Sequence, residues 1–561
     1  MAKSSLMKML RHAYSIAKMS RKTGIPTDEL LGMMREAKGR NFRTTRRRLL
    51  QGGLGFAGAM AASNFFKGGE RAMAQTTPIL IVGAGIAGLT AAYRLTQAGV
   101  PVNVIEARNR VGGRIKTMDK VAGTFLSADL GGEYIDTDHI VIRSLVEELG
   151  LTEIDLLGNQ EGLVRTGYFF EGRFVPESEL IADFAPIAER INADLEAIDD
   201  FEDYTTPFPE VVELDNLSIT EYLEGIETTP VMRQIIRTTY NVFYGRDTEE
   251  QSSLNLIYVI STDEGVFEPF GASDERYVIP GGSTEIINRL ASFVEGSIET
   301  GTVLESINSL PDGRYQVGLR SGESSFERTY ERILITLPFS VLRQVEINVD
   351  LPPAKRLAIN TMGYGANSKL ITAYRDRVWR NFGFSSDVYS DLGFQDIEEA
   401  GLSRAALTPG VALLTNYSGG NQGLGIGSAT AEIQAQQQLP QYDLVYPGIT
   451  NTAIPGNAVR AYWPGDIYSQ GSYSCYLPGQ WTQMYGVEGE RVGNLFFAGE
   501  HTSLDYQGYM EGSCETAEIA AIQILEDLGL APAVEALRIK QSVENSDRPR
   551  GGRTQNKRRK S

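Results

Sequence analysis

Cysteine is nearly absent from this chain of 561 residues: only Cys475 and Cys514 occur, too few for a disulfide framework or a zinc centre to organise the fold. Histidine is almost as scarce, at three residues, which argues against a metalloenzyme, and no metal site is expected. No apolar run approaches the roughly 20 residues that span a bilayer, so no stable membrane span is expected and the mature protein should be soluble. Positive charge is missing from most of the chain. Residues 1–74 carry 15 Lys and Arg against 4 Asp and Glu, and the last 24 residues carry 9 against 2. Removing +11 and +7 from the net charge of −18 leaves the body, Gln75 to Leu537, near −36. That balance disfavours nucleic acid as a partner and suits cationic small molecules weakly, although acidity also serves solubility alone.

The length allows two or three domains with sizeable cores. Residues 1–44 form an N-terminal extension with no assignable role, and Met33 or Met34 is an alternative start. In residues 45–74, Thr45-Arg46-Arg47-Arg48-Leu49-Leu50 precedes an apolar stretch, Gly52 to Ala62, and then Ala72-Met73-Ala74. This order resembles a twin-arginine export signal, the alternative being a basic amphipathic anchor. That route carries folded proteins, so it implies a periplasmic or extracellular location and a cofactor loaded before export. Residues 538–561 are basic and poor in apolar side chains, and read as a disordered tail.

Ile79-Leu80-Ile81-Val82 is a short β-branched run followed by Gly83-Ala84-Gly85-Ile86-Ala87-Gly88 and a helical pattern. Strand, G-x-G-x-x-G and helix stand in the order that a dinucleotide site needs. Gly83 permits the tight turn, Gly85 lets a pyrophosphate approach, and Gly88 lets helix and strand pack closely. A second strand, Val102 to Ile105, ends at Glu106, placed to accept hydrogen bonds from a ribose diol. NAD and FAD share this half-site.

The run Glu106-Ala107-Arg108-Asn109-Arg110-Val111-Gly112-Gly113-Arg114 reproduces the E-A-R-x-R-x-G-G-R fingerprint, and here the chain resembles the flavin-containing monoamine oxidase and L-amino acid oxidase family. The resemblance implies FAD and runs the length of the mature chain. Gly131-Gly132-Glu133, a strand containing Val303, Trp463 with the loop to Tyr473, Gly499-Glu500 and Tyr509-Met510 match family segments around the flavin. The implied fold is α/β: a Rossmann-like FAD-binding domain from discontinuous segments (75–135, 275–345 and 490–530) and a mixed-sheet substrate domain (136–274 and 346–489) with a helical insertion at about 180–270.

By the same resemblance, Lys369 matches the lysine that holds a water beside flavin N5, and Tyr473 and Tyr509 match the aromatic pair around the substrate amine. Ser472 stands where animal monoamine oxidases carry the flavin-linked cysteine, so FAD is expected to be noncovalent. The expected reaction oxidises the carbon–nitrogen bond of a small primary amine, polyamine or L-amino acid with O2. Its products are an imine, hydrolysed to an aldehyde or 2-oxo acid and ammonia, and H2O2. The G-x-M-R arginine of venom-type L-amino acid oxidases is missing, since Gly131-Gly132-Glu133-Tyr134 stands there. Arg165, Arg173, Arg233 and Arg237 are other candidates for a substrate carboxylate. Glu133 is a candidate either for a second substrate cation or for a structural role beside the flavin. Oxidative decarboxylation, carbon–carbon desaturation and a nonenzymatic flavoprotein role stay open, as does a homodimeric assembly.

Overall fold

The computed structural model describes residues 77–159, 162–406 and 410–547; residues 1–44 and the stretch 45–74, expected from sequence to be an export signal, lie outside them. The described residues form one unit. Two sheets position the site, built from strands β1 (Ile79–Val82), β2 (Val102–Glu106), β3 (Val164–Phe170), β4 (Arg173–Phe174), β5 (Ile298–Thr300), β6 (Ile333–Ile335), β7 (Ser368–Tyr374), β8 (Phe384–Ser390), β9 (Asp396–Glu399), β10 (Ala412–Ser418), β11 (Ala453–Tyr462) and β12 (Leu495–Phe497).

The first sheet runs β12-β6-β1-β2-β5 with every pairing parallel. Parallel strands are covered on both faces, so they read as continuous apolar runs rather than alternating ones. Ile79, Leu80, Ile81 and Val82 are all buried accordingly. The helix Ile86–Gln97 follows β1 directly, and the helix Met510–Asp527 packs against it. At Gly88 an added Cβ would lie 2.0 Å from the Gly83 carbonyl oxygen, so this crossing exists only because that position is glycine.

The second sheet runs β11-β7-β10-β9-β8-β3-β4. It is antiparallel except where β8 meets β3. Helices between Glu177 and Ile257 pack beside it, their core carried by Phe184, Ile187, Ile191, Ile235 and Ile236. The fold is thus α/β, with a parallel cofactor-type sheet and a separate mixed sheet. A third sheet, from residues 302–309, 315–321, 324–330 and 346–348, supplies Val303.

One expectation is corrected. The tail does not lose order at 538: the helix Ala531–Asp547 continues through it. Lys540 donates to Glu518 at 2.8 Å and lies 3.5 Å from Glu148, so the basic residue that suggests a solvated tail is neutralised by two carboxylates. Residues 548–561 lie outside the described residues.

Candidate active site

A cavity of about 1260 Å³ runs from the end of β1 to the face of the second sheet, larger than the roughly 300–1,000 Å³ of ordinary ligand pockets. Gly83, Gly85 and Ala87 line one end. The helix beginning at Ile86 has no side-chain cap at Gly85, so its first N–H groups and the positive end of its dipole are left for an anion. A Cβ on Gly85 would meet nothing within 4 Å, which is the open face a pyrophosphate needs. Gly88 does not line the cavity; it acts only in packing.

Glu106 ends β2 in the cavity wall. Its two oxygens accept the N–H groups of Ala84 at 3.0 Å and Arg108 at 2.9 Å, which ties the glycine turn to the Ala107-Arg108 turn. A carboxylate has about four acceptor positions, so capacity for a diol remains. Val303 lines the wall nearby.

Arg108 and Arg114 brace distant loops. Arg108 donates to Asp466 and, at 2.9 Å, to Ser469 Oγ. Arg114 donates to the Ser472 carbonyl at 2.7 Å and to Glu500 at 2.8 Å. Glu500 also accepts from Ser474 Oγ at 2.7 Å and Gly508 N at 2.9 Å. Burial pushes its pKa up, but Arg114 and these donors outweigh that and hold it below the usual carboxylate range. The Trp463 indole N–H donates to the Leu130 carbonyl at 2.9 Å. At Gly131 a Cβ would lie 1.8 Å from the Arg114 carbonyl oxygen, and at Gly132 it would lie 2.9 Å from Met510 Sδ. Gly113, Gly131, Gly132, Gly499, Glu500 and Met510 all line the same cavity.

At the other end stand Lys369, Tyr473 and Tyr509. Lys369, on β7, is 6% exposed. Its ammonium donates to Glu133 and, at 3.2 Å, to the Asp129 carbonyl. Burial lowers the lysine pKa, but Glu133 more than compensates, so it is raised and the group stays charged. The other oxygen of Glu133 accepts Gly401 N at 2.6 Å. Glu133 is therefore the partner of Lys369.

The Tyr473 hydroxyl bonds the Phe243 carbonyl at 2.8 Å and the Tyr417 hydroxyl at 3.1 Å. The Tyr509 ring meets His139 edge-on, centroids 5.0 Å apart. Of the four candidate arginines, Arg165 reaches the cavity. Arg173 and Arg237 pair with Glu179 and Glu249, and Arg233 donates to the carbonyls of Leu223 and Ile226. Tyr417, Phe243, Glu275, Asp387, Asp396 and Glu398 also line the wall without having been singled out from sequence. One local signal was available for the last two: Asp396-Ile397-Glu398 alternates acid and apolar residues with strand period.

An uncapped helix start, a diol-accepting carboxylate and a long cleft ending at Lys369 and two tyrosines fit a flavin dinucleotide. The family model described as flavin-containing amine oxidoreductase matches residues 86–525. The chain belongs to that family. It is 26% identical over 472 residues to an amine oxidase [flavin-containing] of Oncorhynchus mykiss, covering 82% of this chain and 87% of that one. It is 25% identical over 474 residues to amine oxidase [flavin-containing] B of Homo sapiens, covering 82% and 88%. Among solved structures, cyclohexylamine oxidase from Brevibacterium oxydans aligns with TM-score 0.69 at 20% identity, covering 81% of this chain and 100% of that one. Putrescine oxidase bound to putrescine aligns with TM-score 0.68 at 18%, covering 80% and 99%. This flavin amine oxidase uses FAD to oxidise an amine.

Proposed function

We propose that this amine oxidase takes a small primary amine between Tyr473 and Tyr509, in front of Lys369, with FAD held noncovalently. The observation that carries the reading is that these three residues, from chain positions 369, 473 and 509, line one cavity. Bound FAD supplies the two-electron acceptor and, through O2, the route to hydrogen peroxide. The protein's part is placement. Gly83, Gly85 and the helix start at Ile86 take the pyrophosphate, Glu106 the ribose, and Gly131, Gly132 and Met510 leave room for the ring system. Tyr473 and Tyr509 orient the amine through their π faces. Lys369 keeps its proton at Nζ, held there by Glu133.

Noncovalent attachment rests on Ser472, whose hydroxyl donates to Asn367 Oδ1 at 2.6 Å, and on the burial of both cysteines away from the cavity lining. Acid precipitation should release yellow flavin into the supernatant; colour retained by the pellet would refute this. A second reading, an L-amino acid substrate, is favoured by Arg165, the candidate arginine that reaches the cavity and can meet a carboxylate. The two are separated by anaerobic mixing of the holoenzyme with primary amines and with L-amino acids while the oxidised flavin band is followed. Bleaching by amines alone supports the first, bleaching by amino acids alone the second. No bleaching by either would overturn both substrate readings.

Export to the periplasm or beyond rests on Arg46-Arg47 and the apolar stretch after them. Replacing both arginines with lysine should hold the protein, with its flavin, in the cytoplasm; unchanged export would refute the assignment.

A further inference from the structure

The second sheet carries one uninterrupted row of side chains away from Lys369. Lys369 on β7 stands opposite Tyr417 on β10, and Tyr417 stands opposite Asp396 on β9. Asp396 in turn faces Tyr389 on β8, which faces Tyr168 on β3. All five line the cavity. Asp396 is thus two strands from Lys369, roughly 10 Å across the sheet at the usual strand spacing. Two residues along β9, on the same face, lies Glu398, and Glu275 comes to this wall from the loop before residue 277.

The charges on this wall do not balance. Glu133 is paired with Lys369, and Asp387 with Arg404 at 2.7 Å. That leaves Asp396, Glu398 and Glu275 facing Arg165, whose guanidinium donates to the Asp274 carbonyl. Glu398 has the Tyr134 hydroxyl at 2.7 Å and Arg404 only at 3.9 Å. Asp396 is 5% exposed, and its Oδ1 has no hydrogen-bond partner. A buried carboxylate oxygen without a donor is costly and calls for one. Glu275 sits at φ +41°, a left-handed conformation that persists in a side-chain-bearing residue only where its surroundings enforce it. Burial and mutual repulsion push the Asp396 and Glu398 carboxyls well above their ordinary range, as expected where carboxylates outnumber the cations around them.

We propose that Asp396, Glu398 and Glu275 form a subsite for a second cationic group, so that the substrate carries an ammonium or guanidinium a few carbons from the carbon that is oxidised. This rests on the reading that the reacting amine lies at Lys369, Tyr473 and Tyr509. The chemistry has two sources, a diamine and a basic amino acid, and Arg165 serves the α-carboxylate of the second.

The test compares, on the FAD-loaded enzyme, pairs that differ only by a terminal ammonium: 1,5-diaminopentane against pentylamine, and L-lysine against L-norleucine. Expected is a kcat/KM at least roughly a hundredfold higher for one dicationic member than for its partner, the value of about two good charge-assisted hydrogen bonds. The pair that shows it identifies the source. Asp396→Asn combined with Glu398→Gln should remove most of that preference, while the partner compound stays within about twofold and FAD stays bound. Bleaching by pentylamine or norleucine with no dication preference overturns the subsite and leaves the amine reading intact. Bleaching by none of the four overturns both. Equal loss for both members of a pair in the double variant also overturns the subsite, and the unmutated enzyme's preference decides the matter if that variant does not fold.

Discussion

Tyr473 does two separable things. Its hydroxyl is anchored to the Phe243 carbonyl and to Tyr417, and its ring forms part of the cavity wall. Tyr473→Phe keeps the ring and loses the anchor, so kcat/KM should fall only a few fold. Tyr473→Ala removes the π face, worth about 1–2 kcal/mol for a desolvated cation, and should cost roughly tenfold or more. FAD content should stay near one per chain in both. Equal loss in the two variants, or loss of flavin in the alanine variant alone, would identify a packing residue. Lys369 makes a different prediction because its ammonium is fixed by Glu133 and the Asp129 carbonyl. Lys369→Met should slow flavin reduction or reoxidation roughly tenfold or more with FAD retained. Rapid mixing resolves the two half-reactions, and unchanged rates in both would remove Lys369 from the chemistry.

Among the elements, the turn between β1 and the helix Ile86–Gln97 separates fold from ligand within six residues. Gly88→Ala places a methyl 2.0 Å from a backbone oxygen, whereas Gly85→Ala projects into open space. Gly85→Ala should leave the thermal midpoint of the flavin-free protein within about 1 °C and weaken FAD binding, and Gly88→Ala should lower both; titration with FAD and thermal unfolding check the pair. This turn was legible in the sequence because everything it does is local: an apolar run, glycines at fixed spacing and a carboxylate at the end of the next strand. The Lys369–Asp396 row was not. It is set by the register of β3, β7, β8, β9 and β10, which are drawn from residues 164 to 418, and register between remote strands leaves no trace at any single position. The last helix was misread for a related reason, since the acids that anchor Lys540 come from residues 148 and 518.

Across the whole molecule, the number of acids taken out of water makes stability depend on pH in a definite direction. Burial raises Asp129 and Glu488 to about 7 and Asp136 and Asp138 to about 6, against roughly 4 in an unfolded chain. Between pH 4 and 7 the folded state therefore binds more protons than the unfolded one, and unfolding free energy falls as pH rises. His501 opposes this: burial lowers it to about 4, so over much of the same window the unfolded chain holds the extra proton. Four carboxylates against one imidazole leave the slope negative, and the excess negative charge of the body adds to it. Above pH 7 one group works the other way. Lys355, fully buried with its Nζ donating to the Glu488 carbonyl at 2.7 Å, is lowered to about 7. From there towards its unfolded value near 10.4 it is the unfolded chain that binds the extra proton. The thermal midpoint of the holoenzyme at constant ionic strength should thus fall by a few degrees from pH 5 to 7 and fall less steeply from pH 7.5 to 9, where Lys355 works against Asp396, Glu398 and Cys514, buried acids that keep their protons. Lys355→Met should steepen the fall above pH 7.5 and leave the fall from pH 5 to 7 unchanged, because the lysine acts only on the alkaline side. A midpoint that rises from pH 5 to 7 would mean that the buried acids are ionised in the folded state and paired more fully than their geometry indicates.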